Sequence, residues 1–273
     1  MAGGKLKIPG RRYRTLPITS PGYEDITLDL DLDKTALAVM HCWNIGCECG
    51  PAWHPDYWVG MGFPQTIEEA GRIMREVIKP AMEAARRAGL SIAHIESEFI
   101  GMKHPEAQKG LIPPKPPSEP SSKCEPGPGP RVPGYVQSIV DSKHGRDYAN
   151  NGPYSKMDRA KIVEPLPGEI YAFRTDQLDR LLRERGIENL LYTGFATDMC
   201  VLNAPGGLLP MFSLGYRVHL VRDATIGVEF PDTFEERLST RWGIRFHESH
   251  FGDSLASADL IAALHAALEE RGK

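Results

Sequence analysis

The residue with the clearest chemical potential is Cys200. It follows the apolar run 190–195 and a glycine-bearing turn, where a helix is expected to begin with Thr197 or Asp198 as its cap. A thiol in a first helical turn meets unpaired N–H groups and the positive end of the helix dipole, both of which favour thiolate. The amides of Ala196, Thr197 and Met199 beside it are candidates to hold an oxyanion. The competing reading is a small buried hydrophobe, because free cysteine is among the most buried residue types. The local letters do not separate the two.

The elements that must hold this cysteine read as an α/β chain. Short apolar runs at 34–41, 90–95, 169–173, 190–195 and 217–221 suit buried strands. Apolar residues at helical spacing run from Ile67 to Ala85, with Pro80 expected to kink or divide that helix, and further helices are expected over 176–185, from 198, over 232–242 with Asp232 as cap, and over 257–270. The alternation of strand and helix argues for a parallel sheet covered on both faces, which places Cys200 at a strand's carboxyl end, the edge where open α/β sheets bind ligands.

The segment Thr193-Gly194-Phe195-Ala196-Thr197-Asp198-Met199-Cys200-Val201 resembles the T-G-x-x-T-D-x-C-V signature of the isochorismatase-like cysteine hydrolases, which include nicotinamidases and N-carbamoyl amide hydrolases. Ala36 to Met40 resembles the first strand of that family, and Leu214 to Val218 with Val221 to Ala224 its strand after the cysteine. The resemblance implies a three-layer α/β/α sandwich with a mainly parallel six-stranded sheet over residues 34–273, preceded by an extension of residues 1–33 in which 26–32 alternates like an edge strand. It also implies a homo-oligomer and a cysteine-dependent hydrolysis of a C–N bond in a small amide or carbamoyl substrate.

The departures from the family pattern bear on that chemistry. His41 stands where the family carries its activating aspartate, and Arg174 where it carries a lysine, and the loop that usually follows the lysine is missing before the helix at 175–178. Pro205 and Gly206-Gly207 interrupt the helix after Cys200. A Cys-His pair is chemically sound, because imidazole can take a thiol proton and return it to a leaving amine. Arg174 is confined to electrostatics, since guanidinium keeps its protons. The alternative is a divergent member that binds a small molecule or acts as a scaffold without cleaving anything. Hydrolysis of a vinyl ether ranks last, because in the family it relies on the aspartate this chain lacks.

Around the first strand's end, residues 42–63 hold Trp43, Trp53 and Trp58. Trp43, two residues from His41, and Phe195 are read as substrate-binding walls suited to a planar group, and Trp53 and Trp58 as interface residues. His54, Asp56 and His94 are the nearest match to the family's zinc ligands, but the order is reversed and no metal or other cofactor is expected. His247 and His250 are read as structural or rim residues. The Pro-rich stretch from Ile112 to Pro133 marks an insertion at about 105–160, expected to be an ordered arm anchored by Tyr135, Val136, Ile139, Val140 and Tyr148.

A net charge of -4 without like-charge blocks gives no reason to expect nucleic acid or an anionic membrane as partner. No stretch approaches the ~20 apolar residues of a membrane span, and no signal peptide is evident. Five cysteines, an odd number, suit reduced thiols and a cytoplasmic protein acting on a small molecule.

Overall fold

The computed structural model describes residues 4–111 and 132–271. One sheet of eight strands forms its centre: β1 Lys5–Arg14, β2 Gly22–Asp31, β3 Thr35–Met40, β4 Ser91–Ile95, β5 Ile170–Ala172, β6 Asn189–Gly194, β7 Arg217–Val221 and β8 Asp253–Leu255. Their order is β2-β1-β8-β7-β6-β3-β4-β5. Strands β3 to β8 pair in parallel and constitute the expected six-stranded sheet. The N-terminal hairpin β1-β2 enlarges it to eight by pairing antiparallel with β8 at Gly10 and Arg11. Gly10 permits this close approach, since a Cβ there would stand 2.9 Å from the Ser254 carbonyl oxygen.

Every residue of β3 and β6 is buried, as a strand covered on both faces requires. Successive side chains point to opposite faces and build two apolar layers. Leu37 and Val39 pack with Ile73, Met82, Leu260 and Leu264, while Ala36, Ala38 and Met40 pack with Leu178, Leu182 and Met211. The result is a three-layer sandwich.

Two helices are divided as their prolines lead one to expect, and a third departs from the sequence expectation. The helix around 66–88 is two helices, Pro64–Ile73 and Lys79–Ala88, joined by a π turn at Met74–Ile78. Pro80 has no N–H for the carbonyl four residues back, and the wider turn accommodates that loss. The helix after the cysteine is a single turn, Cys200–Asn203, ended before Pro205, and a second helix, Leu208–Ser213, starts afresh. The helix expected over 232–242 instead runs Leu238–His250. Asp232 does not cap it; the Glu229 carboxylate accepts the Ser239 and Thr240 N–H groups at its start, at 3.2 and 2.8 Å.

The insertion's Pro-rich stretch from Ile112 to Pro133 lies outside the described residues as far as position 131. Beyond it, Tyr135–His144 is helical. Tyr135, Val136 and Ile139 are exposed in the single chain, whereas Tyr148 packs against the core. Among the described residues no helix is long and apolar enough to cross a membrane.

From β3 the chain steps outward through β4 to β5, then returns to β6 on the other side of β3 and steps the opposite way. The carboxyl ends of β3 and β6 therefore flank the point where strand order reverses, which is where such sheets open a binding crevice.

Candidate active site

Parallel register sets three side chains in a row at that edge. Met40 pairs with Gly194 of β6 and with Ile95 of β4, so the next residues, Phe195, His41 and Glu96, emerge side by side. The ladder continues one bond beyond the strands: the His41 N–H donates to the Ile95 carbonyl at 2.9 Å and the Phe195 N–H to the Met40 carbonyl at 3.0 Å. His41 leaves its strand with a φ of 47°. A non-glycine residue in that region costs on the order of 1–3 kcal/mol and is typical of functional sites.

The His41 ring is buried and stacks on Trp43, centroids 4.9 Å apart at 21°. Neither ring nitrogen has a hydrogen-bond partner among the described residues. Burial pulls its pKa down to about 4, against a weaker upward pull from the Glu96 backbone, which lies outside hydrogen-bond geometry. His41 is therefore a neutral base at neutral pH.

Cys200 opens the short helix after β6, and its surroundings correct several expectations. Thr197 is buried with its hydroxyl 2.7 Å from that of Thr225, and its N–H donates to the Ile226 carbonyl at 3.1 Å. The Asp198 carboxylate accepts the Val228 N–H at 2.9 Å. Neither residue caps the cysteine helix. The Met199 N–H is spent on the Ala196 carbonyl at 3.1 Å, so Thr197 and Met199 have no amide left for an oxyanion. Among the described residues no backbone carbonyl accepts the N–H of Ala196 or of Cys200.

The thiol is not activated in the way a long helix would allow. One helical turn has little macrodipole, and burial pushes the Cys200 pKa up, opposed by the Ala196 N–H at the sulfur and reinforced by Asp198. No hydrogen bond joins His41 to Cys200.

His41, Trp43, Phe195, Ala196, Met199 and Cys200 line one cavity of about 190 Å³. Trp58, Met61 and Met74 close one side, and His144, Tyr148 and Tyr154, from the chain after the Pro-rich stretch, close another. Trp58 thus belongs to the cavity, contrary to the interface reading, while Trp53 is exposed. None of the described lining residues is Asp, Glu, Lys or Arg.

Arg174 does not reach this cavity. It precedes the helix Thr175–Glu184 and is half-exposed, its Nε donating to Asp176 at 3.1 Å. With the family's loop missing, the chain enters the helix at once and the side chain pairs with a carboxylate in that helix's first turn. The zinc-like residues also stay apart. His54 and Asp56 are exposed, and His94 is buried 2.9 Å from Glu169. Among the described residues no group of three or more His, Cys, Asp or Glu is placed to hold a metal ion. His247 is buried, its Nε2 2.9 Å from the Asp253 carbonyl, which suits a structural role.

The sequence reading missed Glu96. It follows β4 as His41 follows β3, and that parallel placement was a usable signal. Its Oε2 accepts the Trp43 Nε1–H at 3.0 Å, and burial raises its pKa to about 8, opposed by the Trp43 bond and Arg159. It also missed His144, Tyr148 and Tyr154, which lie far from Cys200 in sequence and carry no local motif.

A family profile described as Isochorismatase domain matches residues 169–236, the span from β5 through Cys200 and β7. The ureidoacrylate amidohydrolase RutB of Cronobacter sakazakii is 30% identical over 165 residues, 55% of this chain and 60% of that protein. RutB of Pantoea ananatis is 34% identical over 108 residues, 36% of this chain and 42% of that protein. The chain thus covers less than two thirds of the length of these curated relatives. A cysteine hydrolase from Pseudomonas syringae pv. phaseolicola superposes over 87% of this chain and 95% of its own with a TM-score of 0.54 at 15% identity, a likeness of fold. The cysteine turn on β6 lies inside the span that matches the Isochorismatase domain, and these matches make the chain similar to the isochorismatase-like cysteine hydrolases.

Proposed function

We propose that the chain is a cysteine-dependent hydrolase that cleaves a C–N bond of a small amide or carbamoyl compound. The observation that carries this reading is Cys200 lining one cavity with a neutral His41 unpartnered among the described residues, beside two amides, Ala196 and Cys200, that no described backbone carbonyl uses. The curated relatives are named as amidohydrolases.

In the proposed reaction a substrate carbonyl enters against the Ala196 and Cys200 N–H groups. His41 takes the thiol proton as Sγ bonds to the carbonyl carbon, and the carbonyl electron pair moves to oxygen, where the two amides hold it. The pair returns, the C–N bond breaks, and His41 gives its proton to the departing amine. Water, losing a proton to His41, then attacks the thioester and releases the acid and the thiol. The depressed His41 pKa leaves the imidazole unprotonated at neutral pH but makes it a weak base, and the thiol pKa is raised, so proton transfer has to accompany C–S bond formation and not precede it. Turnover is expected to fall as the pH drops towards the His41 value of about 4.

A second reading has its own observation. No hydrogen bond joins His41 to Cys200, both groups are neutral, and Arg174 stands outside the cavity. Such a site suits a protein that holds a small molecule without cleaving it. Ammonia release from a panel of primary amides and ureido compounds, among them the ureidoacrylate named for the relatives, decides between them. Release that vanishes in Cys200→Ala and drops at least about a hundredfold in His41→Ala supports the hydrolase. An active Cys200→Ala sinks the mechanism, and binding without release by the wild type favours the second reading.

A further inference from the structure

One wall of the Cys200 cavity belongs to a run of rings in contact, some stacked and some tilted, contributed largely by residues after the Pro-rich stretch. Phe99 stacks on Tyr154 at 4.6 Å, Tyr154 meets Tyr148 at 4.9 Å, Tyr148 meets His144 at 5.2 Å, and His144 stacks on Trp58 at 5.0 Å. The last four line the cavity, and the His41-Trp43 stack lines it too. The segment that brings Tyr148 and Tyr154 is fastened near Trp43. The Ala160 N–H donates to the Cys42 carbonyl at 2.7 Å, the Asn44 N–H to the Asp158 carbonyl at 2.9 Å, and Lys103 Nζ to the Met157 carbonyl at 2.6 Å. These rings form a fixed wall.

We propose that Tyr148 and Tyr154 are specificity-determining residues that select an uncharged, flat amide and reject a carboxylate-bearing one. The proposal rests on the hydrolase reading for the reaction but not for the binding preference. Flat rings offer dispersion and edge contacts to a planar body. A carboxylate entering here would lose its water and meet no cation among the described lining residues, a cost of several kcal/mol per unpaired ion. The unpartnered His41 ring, neutral at neutral pH, offers one donor and one acceptor. A primary amide presents the complementary pair, whereas a carboxylate presents acceptors alone.

The test compares a neutral and an anionic probe of nearly equal size. Cys200 alkylation by iodoacetamide and by iodoacetate, in which the sulfur displaces iodide, is followed by peptide mapping with free cysteine measured alongside. In the wild type the amide-to-acid rate ratio should exceed that of free cysteine at least about tenfold, because an unpaired buried charge costs more than that factor. Tyr148→Ala and Tyr154→Ala should lower the ratio several-fold with the fold intact by circular dichroism, and Tyr154→Phe should leave it unchanged. Benzamide should protect Cys200 and benzoate should not.

A ratio equal to that of free cysteine, or one unmoved by both alanine variants, overturns the proposal. Better protection by benzyltrimethylammonium than by benzamide also overturns it, in favour of a cation cage. If Cys200 reacts with neither reagent, the melting temperature decides: a rise with benzamide alone supports the proposal, and any other pattern overturns it. Protection by benzamide without ammonia release retires the hydrolase reading alone. Ammonia from succinamate but not from benzamide retires the selectivity alone.

Discussion

Glu169 and Glu96 flank neighbouring strands, one opening β5 and the other following β4, and the protein treats them in opposite ways. Glu169 has Arg86 Nε at 2.7 Å from Oε1, and Arg86 Nη2, His94 Nε2 and the Leu166 N–H at 3.0, 2.9 and 2.8 Å from Oε2. Burial pushes its pKa up, but His94, Arg86 and the Leu166 amide outweigh that and bring it to about 2. Glu96 accepts one bond, from Trp43, and burial takes it to about 8. The histidines follow suit, since His94 has a carboxylate partner whereas His41 has none. Glu169 and His94, away from the cavity, are paired with each other and tie β4 to the start of β5. Glu96 and His41, beside the cavity, are left short of partners, as a site that must receive a ligand's polar atoms requires.

The largest test of this contrast is to break the paired side. Glu169→Ala strips Arg86 of a two-point partner and leaves His94 buried without its acceptor. Unfolding by urea should show a loss of about 3 kcal/mol, the usual cost of removing one member of a largely buried ion pair. A loss below about 1 kcal/mol would place Glu169 with ordinary surface pairs and end the comparison.

The unpaired side should respond with the opposite sign. A carboxyl whose folded pKa is raised contributes stability that is fully present below its unfolded value and is lost as pH rises through the folded value. For Glu96 that window runs from about 4.5 to about 8. Glu96→Gln keeps an oxygen for the Trp43 N–H and removes the ionisation, so it should stabilise the protein by on the order of 2 kcal/mol at pH 8 and by little at pH 4. Urea midpoints of the two proteins at both pH values check this. A destabilised Glu96→Gln at pH 8 would mean that the carboxylate has a partner.

The same asymmetry explains what the sequence disclosed. Strands β3 to β7 were legible because buried parallel strands are written as short apolar runs bounded by turns, and the residues that build them act on their neighbours in sequence. Cys200 was legible for the same reason, its turn being a local motif. Arg174 failed because a matching position in sequence does not fix where a long side chain points, and a carboxylate two residues away captured it. Tyr148 and Tyr154 were illegible as cavity residues, because only the tertiary ties at Asp158 and Ala160 bring their segment to Trp43. The oxyanion assignment missed at Thr197 and Met199, which lie in the motif but whose amides are committed to Ile226 and Ala196, a commitment that no reading of adjacent letters discloses.

The smallest expected effect sharpens the comparison at His41 itself. A histidine whose folded pKa is depressed contributes stability that is present above its unfolded value and is lost as pH falls through the folded value, here from about 6.5 to about 4. His219 and His247, also buried and lowered to about 3 and about 4, titrate in an overlapping range, so the wild type alone cannot assign the slope. His41→Asn isolates the share of one ring. Between pH 7 and pH 4 the wild type should lose on the order of 1–2 kcal/mol more than the variant, measured by urea unfolding at each pH. The variant's absolute stability at pH 7 reports on the backbone as well, because asparagine tolerates a positive φ better than most residues. An equal acid slope in both proteins would mean that His41 finds a proton acceptor when charged, and would remove the unpartnered base from the contrast with His94.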